Sequence, residues 1–144
     1  MMTKEEIRIE IQKCEAQIEK LRVYLRNMEK AARELDGAYS KITSKYDAFC
    51  QENLEKLDRI SKILANEGAI PMAKAVYNNM RSIYLGADFQ RAEQGFVQAK
   101  EQIKAKRIRV YDEIDETEIR VQRLNDRLAN LKLQLENELS KEGV

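Results

Sequence analysis

Apolar residues recur along the first third of this chain at alternating steps of four and three. Starting from Ile7, the steps land on Ile11, Cys14, Ile18, Leu21, Leu25, Met28, Ala32, Leu35, Tyr39, Ile42, Tyr46 and Phe49. Every one of these positions is apolar or aromatic, and mostly charged or polar residues fill the gaps between them. A repeat of this kind sustained over about six heptads is the seam of a coiled coil. It predicts a first long helix over residues 3–66, whose regular part is a rod of roughly 65 Å at ~1.5 Å per residue. Thr3 and Glu6 have the spacing of a capping box at its start. Gly37 falls inside the pattern and weakens the helix by only ~1 kcal/mol.

Beyond Phe49 the rhythm changes. Cys50, Leu54, Leu57, Ile60 and Leu64 keep helical spacing, but their phase has slipped. The stretch NEGAIP, residues 66–71, then offers Gly68 as a helix C-cap and Pro71 as a helix start. A short amphipathic helix is expected over 71–85, carrying Ala73, Val76, Tyr77, Met80, Ile83 and Tyr84. Gly86 can take the left-handed conformation that ends it, and Asp88 can N-cap the next helix. This last helix, expected over 88–141, has a seam of Phe89, Ala92, Phe96, Ala99 and Ile103. After the interruption KAKRIR at 104–109 the seam resumes with Val110, Ile114, Val121, Leu124, Leu128, Leu131 and Leu135.

If the chain folds back near Pro71, the two long seams face each other, and paired positions add to about 142. Ile7 then lies beside Leu135, Phe49 near residue 93, and Gly86 opposite residue 56. The expected architecture is all-α: a long antiparallel helical hairpin, a coiled-coil stalk, with a short extra helix near the turn. The 144 residues make one helical domain by length.

Composition narrows the function. Charged residues are 35% of the chain, but 26 basic against 25 acidic residues leave a formal net charge of +1. A nucleic-acid binder carries a basic excess, because neutralising phosphates supplies most of its affinity. No apolar run approaches the ~18–20 residues of a membrane span, and the N-terminus has no signal-peptide core. The expected location is therefore cytoplasmic, with any export by a route that uses no cleaved leader. Cys14 and Cys50 stand on apolar faces and read as core thiols rather than a disulfide or metal pair.

Catalytic, metal and cofactor sites have no candidates. The chain contains no His, which removes the usual imidazole bases and His-containing metal sites. Its five glycines are isolated, so there is no phosphate loop. Its carboxylates sit among lysines and arginines on exposed helix faces. Charge segregates only locally: KEQIKAKRIR (100–109) is basic and YDEIDETE (111–118) is acidic. Lys100, Lys104 and Arg107 share a face on which a phosphate contact is possible. A solvated face or a pattern that sets register against a neighbouring helix fits the adjoining acids better.

A two-helix hairpin covers each seam residue mainly from one side. It gains less than the ~1.5–3 kcal/mol of full burial per side chain, against ~1–2 kcal/mol of backbone ordering per residue. A further helical surface would make up the difference. Apolar residues outside the seam mark where it would dock: Ile9, Val23 and Tyr24 on the first helix, and Val97, Ile108, Tyr111, Ile119 and Leu133 on the last.

The turn IYLGADFQRAEQGF, the coiled-coil first arm and the closing run IDETEIRVQRLNDRLANLKLQLENEL together resemble the WXG-type family. These are small helical proteins exported by type VII secretion systems. Within that group the chain looks most like the companion proteins of LXG-domain toxins. The resemblance puts Tyr84 in place of the family Trp, Leu85 at the variable position and Gly86 at the Gly, with Asp88 and Phe89 opening the next helix. It implies an LXG-domain toxin as partner, together with a second small helical companion. The family's Tyr-x-x-x-acid export signal has its spacing matched twice, by Tyr111 with Asp115 and by Tyr84 with Asp88. In a chain with this many acids, those matches carry no weight.

Two functions fit these features. One is a non-enzymatic adaptor or chaperone that lays its hairpin on the toxin's N-terminal helical domain and supports its export. Val23, Tyr24, Ile108, Tyr111 and Ile119 would then form the partner contact. The other is a homo-oligomeric coiled-coil scaffold with no secretion role. In either case a homodimer is expected when no partner is present, with no nucleic acid bound and no insertion into a membrane.

Overall fold

The fold is that of a computed structural model, which describes residues 2–66, 68 and 70–143. It is all-α. Helix α1 is Lys4–Leu64, α2 is Pro71–Leu85 and α3 is Ala87–Glu142. Each boundary lies within two residues of the expected one. The two long helices run antiparallel as a hairpin, with α2 between them in the chain. Of the NEGAIP connection, Glu67 and Ala69 lie outside the described residues.

α1 persists for 61 residues because nothing in it stops a helix. It contains no Pro, and its one glycine, Gly37, has open space where a side chain would be. Thr3 starts it: its Oγ1 accepts the Glu6 backbone N–H at 3.2 Å, and its carbonyl accepts that of Ile7 at 2.9 Å. Gly68 is not the C-cap, since α1 ends at Leu64, and Gly68 N–H donates instead to the Asn66 side chain at 3.0 Å. Pro71 does open α2, where its missing N–H costs nothing.

Contacts divide the hairpin into two compact units, Met1–Glu34 with Arg107–Val144, and Leu35–Lys106. In the first unit the seams interlock as the heptads predict. Ile7, Cys14, Ile18 and Ala32 from α1 are buried with Ile114 and Leu131 from α3, and Ile7 is only 2% exposed. The Cys14 thiol donates to the Leu124 carbonyl at 3.3 Å. Flanking ion pairs hold the register: Glu10 with Arg127 at 3.0 Å, Glu15 with Lys132 at 3.8 Å, and Lys4 with Glu142. These are exposed or half-exposed, so each contributes little beyond alignment. Thr117 also belongs to this seam. It is 4% exposed, and its hydroxyl donates to the Glu113 carbonyl one turn back at 2.7 Å.

In the second unit aromatic rings fill the seam. Phe49 stacks on Phe89 with centroids 5.2 Å apart and planes 12° apart, and Phe96 packs against both Phe49 and Tyr46. The Tyr46–Phe96 pair has the spacing of the expected register. Of the residues expected in the slipped phase after Phe49, Cys50, Leu57, Ile60 and Leu64 are buried or half-buried and Leu54 is not, but the original phase also persists. Continuing the same steps from Phe49 reaches Asn53, Lys56, Ile60 and Ile63, all buried or half-buried. Leu54, read as a seam residue, is 61% exposed. The interruption at 104–109 is likewise no break: α3 is continuous, and Arg107 occupies a half-buried seam position.

Candidate interaction surfaces

The Tyr-Leu-Gly turn is built by the end of α2 and the start of α3, both within the Leu35–Lys106 unit. Tyr84 faces inward and is half-buried. Its backbone carbonyl, left over at the end of α2, accepts the side-chain N–H of Asn53 at 3.4 Å. The Lys56 ammonium lies 5.4 Å from the centre of the Tyr84 ring, close enough for attraction to the ring's negative face. Leu85 points outward and is exposed. Phe89 stacks on Phe49 and closes the junction from the α3 side. These side chains surround a cleft of about 220 Å³ lined by Phe49, Asn53, Lys56, Ile83, Tyr84 and Phe89.

Gly86 is required here for a different reason from the one its position suggested. Its φ is −85° and its ψ −167°, extended backbone that any residue adopts. Among the described residues no glycine has a positive φ. A Cβ at Gly86 would, however, lie 2.6 Å from the Ser82 carbonyl oxygen. The glycine therefore serves close packing of one helix end on the next, not a left-handed turn. Its N–H donates to the Ile83 carbonyl and its own carbonyl accepts the Gln90 N–H, each at 3.2 Å. Gly86 thus ends α2 and starts α3, and Asp88 is not the N-cap. Asp88 lies in the first turn of α3, where its charge suits the positive end of the helix dipole.

The five residues expected to form a partner contact are all exposed. They do not make one patch. The Tyr24 hydroxyl donates to Glu113 at 2.8 Å across the hairpin. Glu113 is two residues from Tyr111, so it projects from the opposite flank of α3. Tyr24 therefore belongs to one side of the Met1–Glu34 and Arg107–Val144 unit. Ile108, Tyr111 and Ile119 belong to another, where Leu133 continues the same helix face with its side chain exposed. That α3 face carries Asp112, Asp115 and Asp126 among its apolar side chains. The bond to Glu113, with desolvation, raises the Tyr24 phenol above its ordinary value of 10.0. Tyr46 is raised as well, first by its hydrogen bond to Cys50 one turn on.

Of the basic residues expected to share a face, Lys100 and Arg107 are half-buried and Lys104 is exposed. The Lys100 ammonium lies 5.7 Å from the Tyr39 ring centre and 5.8 Å from that of Tyr46. Both cysteines are free thiols; Cys14 is buried and Cys50 half-buried. Among the described residues no group of His, Cys, Asp or Glu is arranged to hold a metal ion, and no helix is long and apolar enough to cross a membrane.

Sequence reading missed Asn53, Lys56, Arg107 and Thr117 as inward-facing positions. The signal that finds them is phase, not residue type: each lies on the four-three step that the apolar residues on either side define. Comparisons with family models, with curated proteins and with solved structures found no match.

Proposed function

We propose that this chain is a non-enzymatic adaptor that lays one face of its hairpin against the N-terminal helical domain of an LXG-type toxin and supports its export by a type VII secretion system. The observation that carries this reading is the row of exposed apolar side chains on α3: Ile108, Tyr111, Ile119 and Leu133. They lie along one helix face outside a seam that is already filled. A hairpin with a second apolar face is suited to act as half of a larger helical bundle. The interspersed Asp112, Asp115 and Asp126 favour a partner helix with basic flanks. The turn adds support: Tyr84, Gly86 and Phe89 form a packed helix-to-helix junction at the place where the WXG-type pattern has its motif.

The test is co-purification of the tagged chain with a co-expressed toxin N-terminal domain, using Ile108→Ala/Tyr111→Ala and Val23→Ala/Tyr24→Ala as separate variants. The α3 pair is expected to keep its helical circular dichroism and melting temperature and to lose the toxin. The α1 pair, whose Tyr24 is bonded to Glu113 on the other flank of α3, is expected to retain it. Toxin recovery unaffected by the α3 pair would refute the surface. Recovery of the chain alone would move the function to a homo-oligomeric scaffold with no secretion role.

A further inference from the structure

Along one flank of the Met1–Glu34 and Arg107–Val144 unit, Glu10 meets Arg127 and Tyr24 meets Glu113 across the two helices. The residue numbers of both pairs add to the same total, so this register sets Gln17 opposite Arg120 midway between them. At that position α1 offers an amide to the arginine instead of an acid. A cleft of about 520 Å³ opens there, lined by Gln17, Lys20, Leu21, Arg120, Arg123 and Leu124. A second, of about 410 Å³, shares Gln17 and Lys20 and continues past Cys14 to Glu10, Lys13 and Arg127. Together they make a groove along the hairpin, roughly three helical turns long. Its charged lining is Lys13, Lys20, Arg120, Arg123 and Arg127 against Glu10 alone, in a chain whose 26 basic and 25 acidic residues nearly balance. Glu10 is shared by Lys13 at 3.5 Å and Arg127 at 3.0 Å. Among the described residues Lys20, Arg120 and Arg123 form no ion pair, although Glu116 precedes Arg120 by one turn.

We propose that this groove receives an acidic amphipathic helix of a partner protein. Charge complementarity chooses that occupant. Three cations without an acid crowd one cleft and repel one another, and a partner's carboxylates turn that repulsion into attraction and steer the encounter. Carboxylates on one side of the docked helix meet Lys20 on the α1 wall. Those on its other side meet Arg120 and Arg123 on the α3 wall, where a guanidinium takes a carboxylate through two N–H donors. The floor is apolar, with Leu21 and Leu124 half-buried and Cys14 buried. The occupant therefore carries an apolar stripe between its acids, which a free anion or a lipid headgroup lacks. A groove between two antiparallel helices also has the shape that a third helix fills. Glu113 and Glu116 lie beyond Arg120 on the same flank of α3 and mark where the partner's acids stop. No residue lining the groove belongs to the row of Ile108, Tyr111, Ile119 and Leu133, and the two surfaces ask for partners of opposite charge. The proposal therefore does not rest on the adaptor reading.

Selection of displayed helical peptides of about 18 residues against the full chain tests the proposal. The library keeps a fixed apolar stripe and varies Glu, Gln and Lys at the positions on either side of it. Glu is expected to be enriched over Lys on both sides. The selected peptide, made synthetically, is expected to shift the NMR signals of Gln17, Leu21 and Leu124 and to bind more weakly as salt rises. Against Arg120→Gln/Arg123→Gln its affinity is expected to fall on the order of tenfold or more. Both arginines are exposed, so this variant keeps its helical circular dichroism and melting temperature. Ile108→Ala/Tyr111→Ala is expected to leave peptide binding unchanged, which separates the groove from the α3 row. A selection without preference for Glu, or a Glu-rich peptide that binds the Gln variant equally well, overturns the proposal. So does displacement of the peptide by an equal concentration of inorganic phosphate, which would make the groove a general anion site. Phosphatidylserine vesicles that bind the wild type but not the Gln variant, with no peptide selected, would give the flank to a membrane surface and refute the helix. Self-association of the wild type that the Gln variant loses would give the groove to a second copy and refute it equally.

Discussion

Replacing Gly86 by alanine places a methyl carbon 2.6 Å from the carbonyl oxygen of Ser82, where carbon atoms need at least 3.0 Å. The obstacle is backbone in the last turn of α2, so no side-chain rotation relieves it. Either the end of α2 or the start of α3 must move by at least ~0.4 Å, against the hydrogen bonds Gly86 makes to Ile83 and Gln90. Forced overpacking of this kind costs about 1–3 kcal/mol. Alanine recovers ~0.4–1 kcal/mol by restricting the unfolded chain. The net destabilisation is about 1–2 kcal/mol, a fall of roughly 3–8 °C in melting temperature for a chain of this size. Thermal unfolding followed by circular dichroism measures it, and hydrogen exchange at the Gln90 amide shows whether the loss is at the junction. A three-way comparison is decisive. Asparagine tolerates a left-handed turn far better than alanine does, but with φ at −85° it gains no such advantage here. Gly86→Asn should therefore be no better than Gly86→Ala, and Ser82→Gly should not rescue either. An Asn variant as stable as wild type beside a crippled Ala variant would refute the packing argument and restore the left-handed one.

Other expectations arise from the seam and its flanks. Ile7→Ala removes the most deeply buried large side chain and should cost about 2–4 kcal/mol in urea unfolding, because two helices leave limited scope to collapse. Thr117→Val removes a hydroxyl that bonds back within its own helix and adds apolar surface to the seam, so stability should rise by roughly 0.5–1 kcal/mol. Tyr24 titrates above its ordinary value because its hydroxyl donates to Glu113. A group held protonated in the fold contributes its stability below the unfolded value of ~10 and loses it as pH rises through the folded one. Glu113→Gln should bring the Tyr24 titration, followed by NMR of the assigned ring, back toward the ordinary range.

The heptad pattern alone determined that this chain is two long helices that fold back on each other. A seam of thirteen apolar positions in phase has few other ways to leave water, and Thr3 and Pro71 mark helix starts by local chemistry that needs no tertiary partner. The outward apolar residues were legible for the same reason: once the seam is known, Ile108 and Ile119 have to face away from it. The tertiary structure decided everything that depends on geometry rather than residue type. Asn53, Lys56, Arg107 and Thr117 face inward because a continuous helix keeps its phase, even where the residue at that phase is polar. Asn53 and Lys56 are accommodated by a carbonyl and a ring belonging to Tyr84, 31 residues from Asn53 in the chain. Leu54, one step out of phase, is left in solvent despite its side chain. Gly86 was recognisable as special, yet the cause, a carbonyl from the preceding turn in the space of its Cβ, exists only once α2 and α3 meet. The grouping of Tyr24 apart from Tyr111 was likewise decided by packing, because only the contact with Glu113 shows which flank of the hairpin each tyrosine occupies.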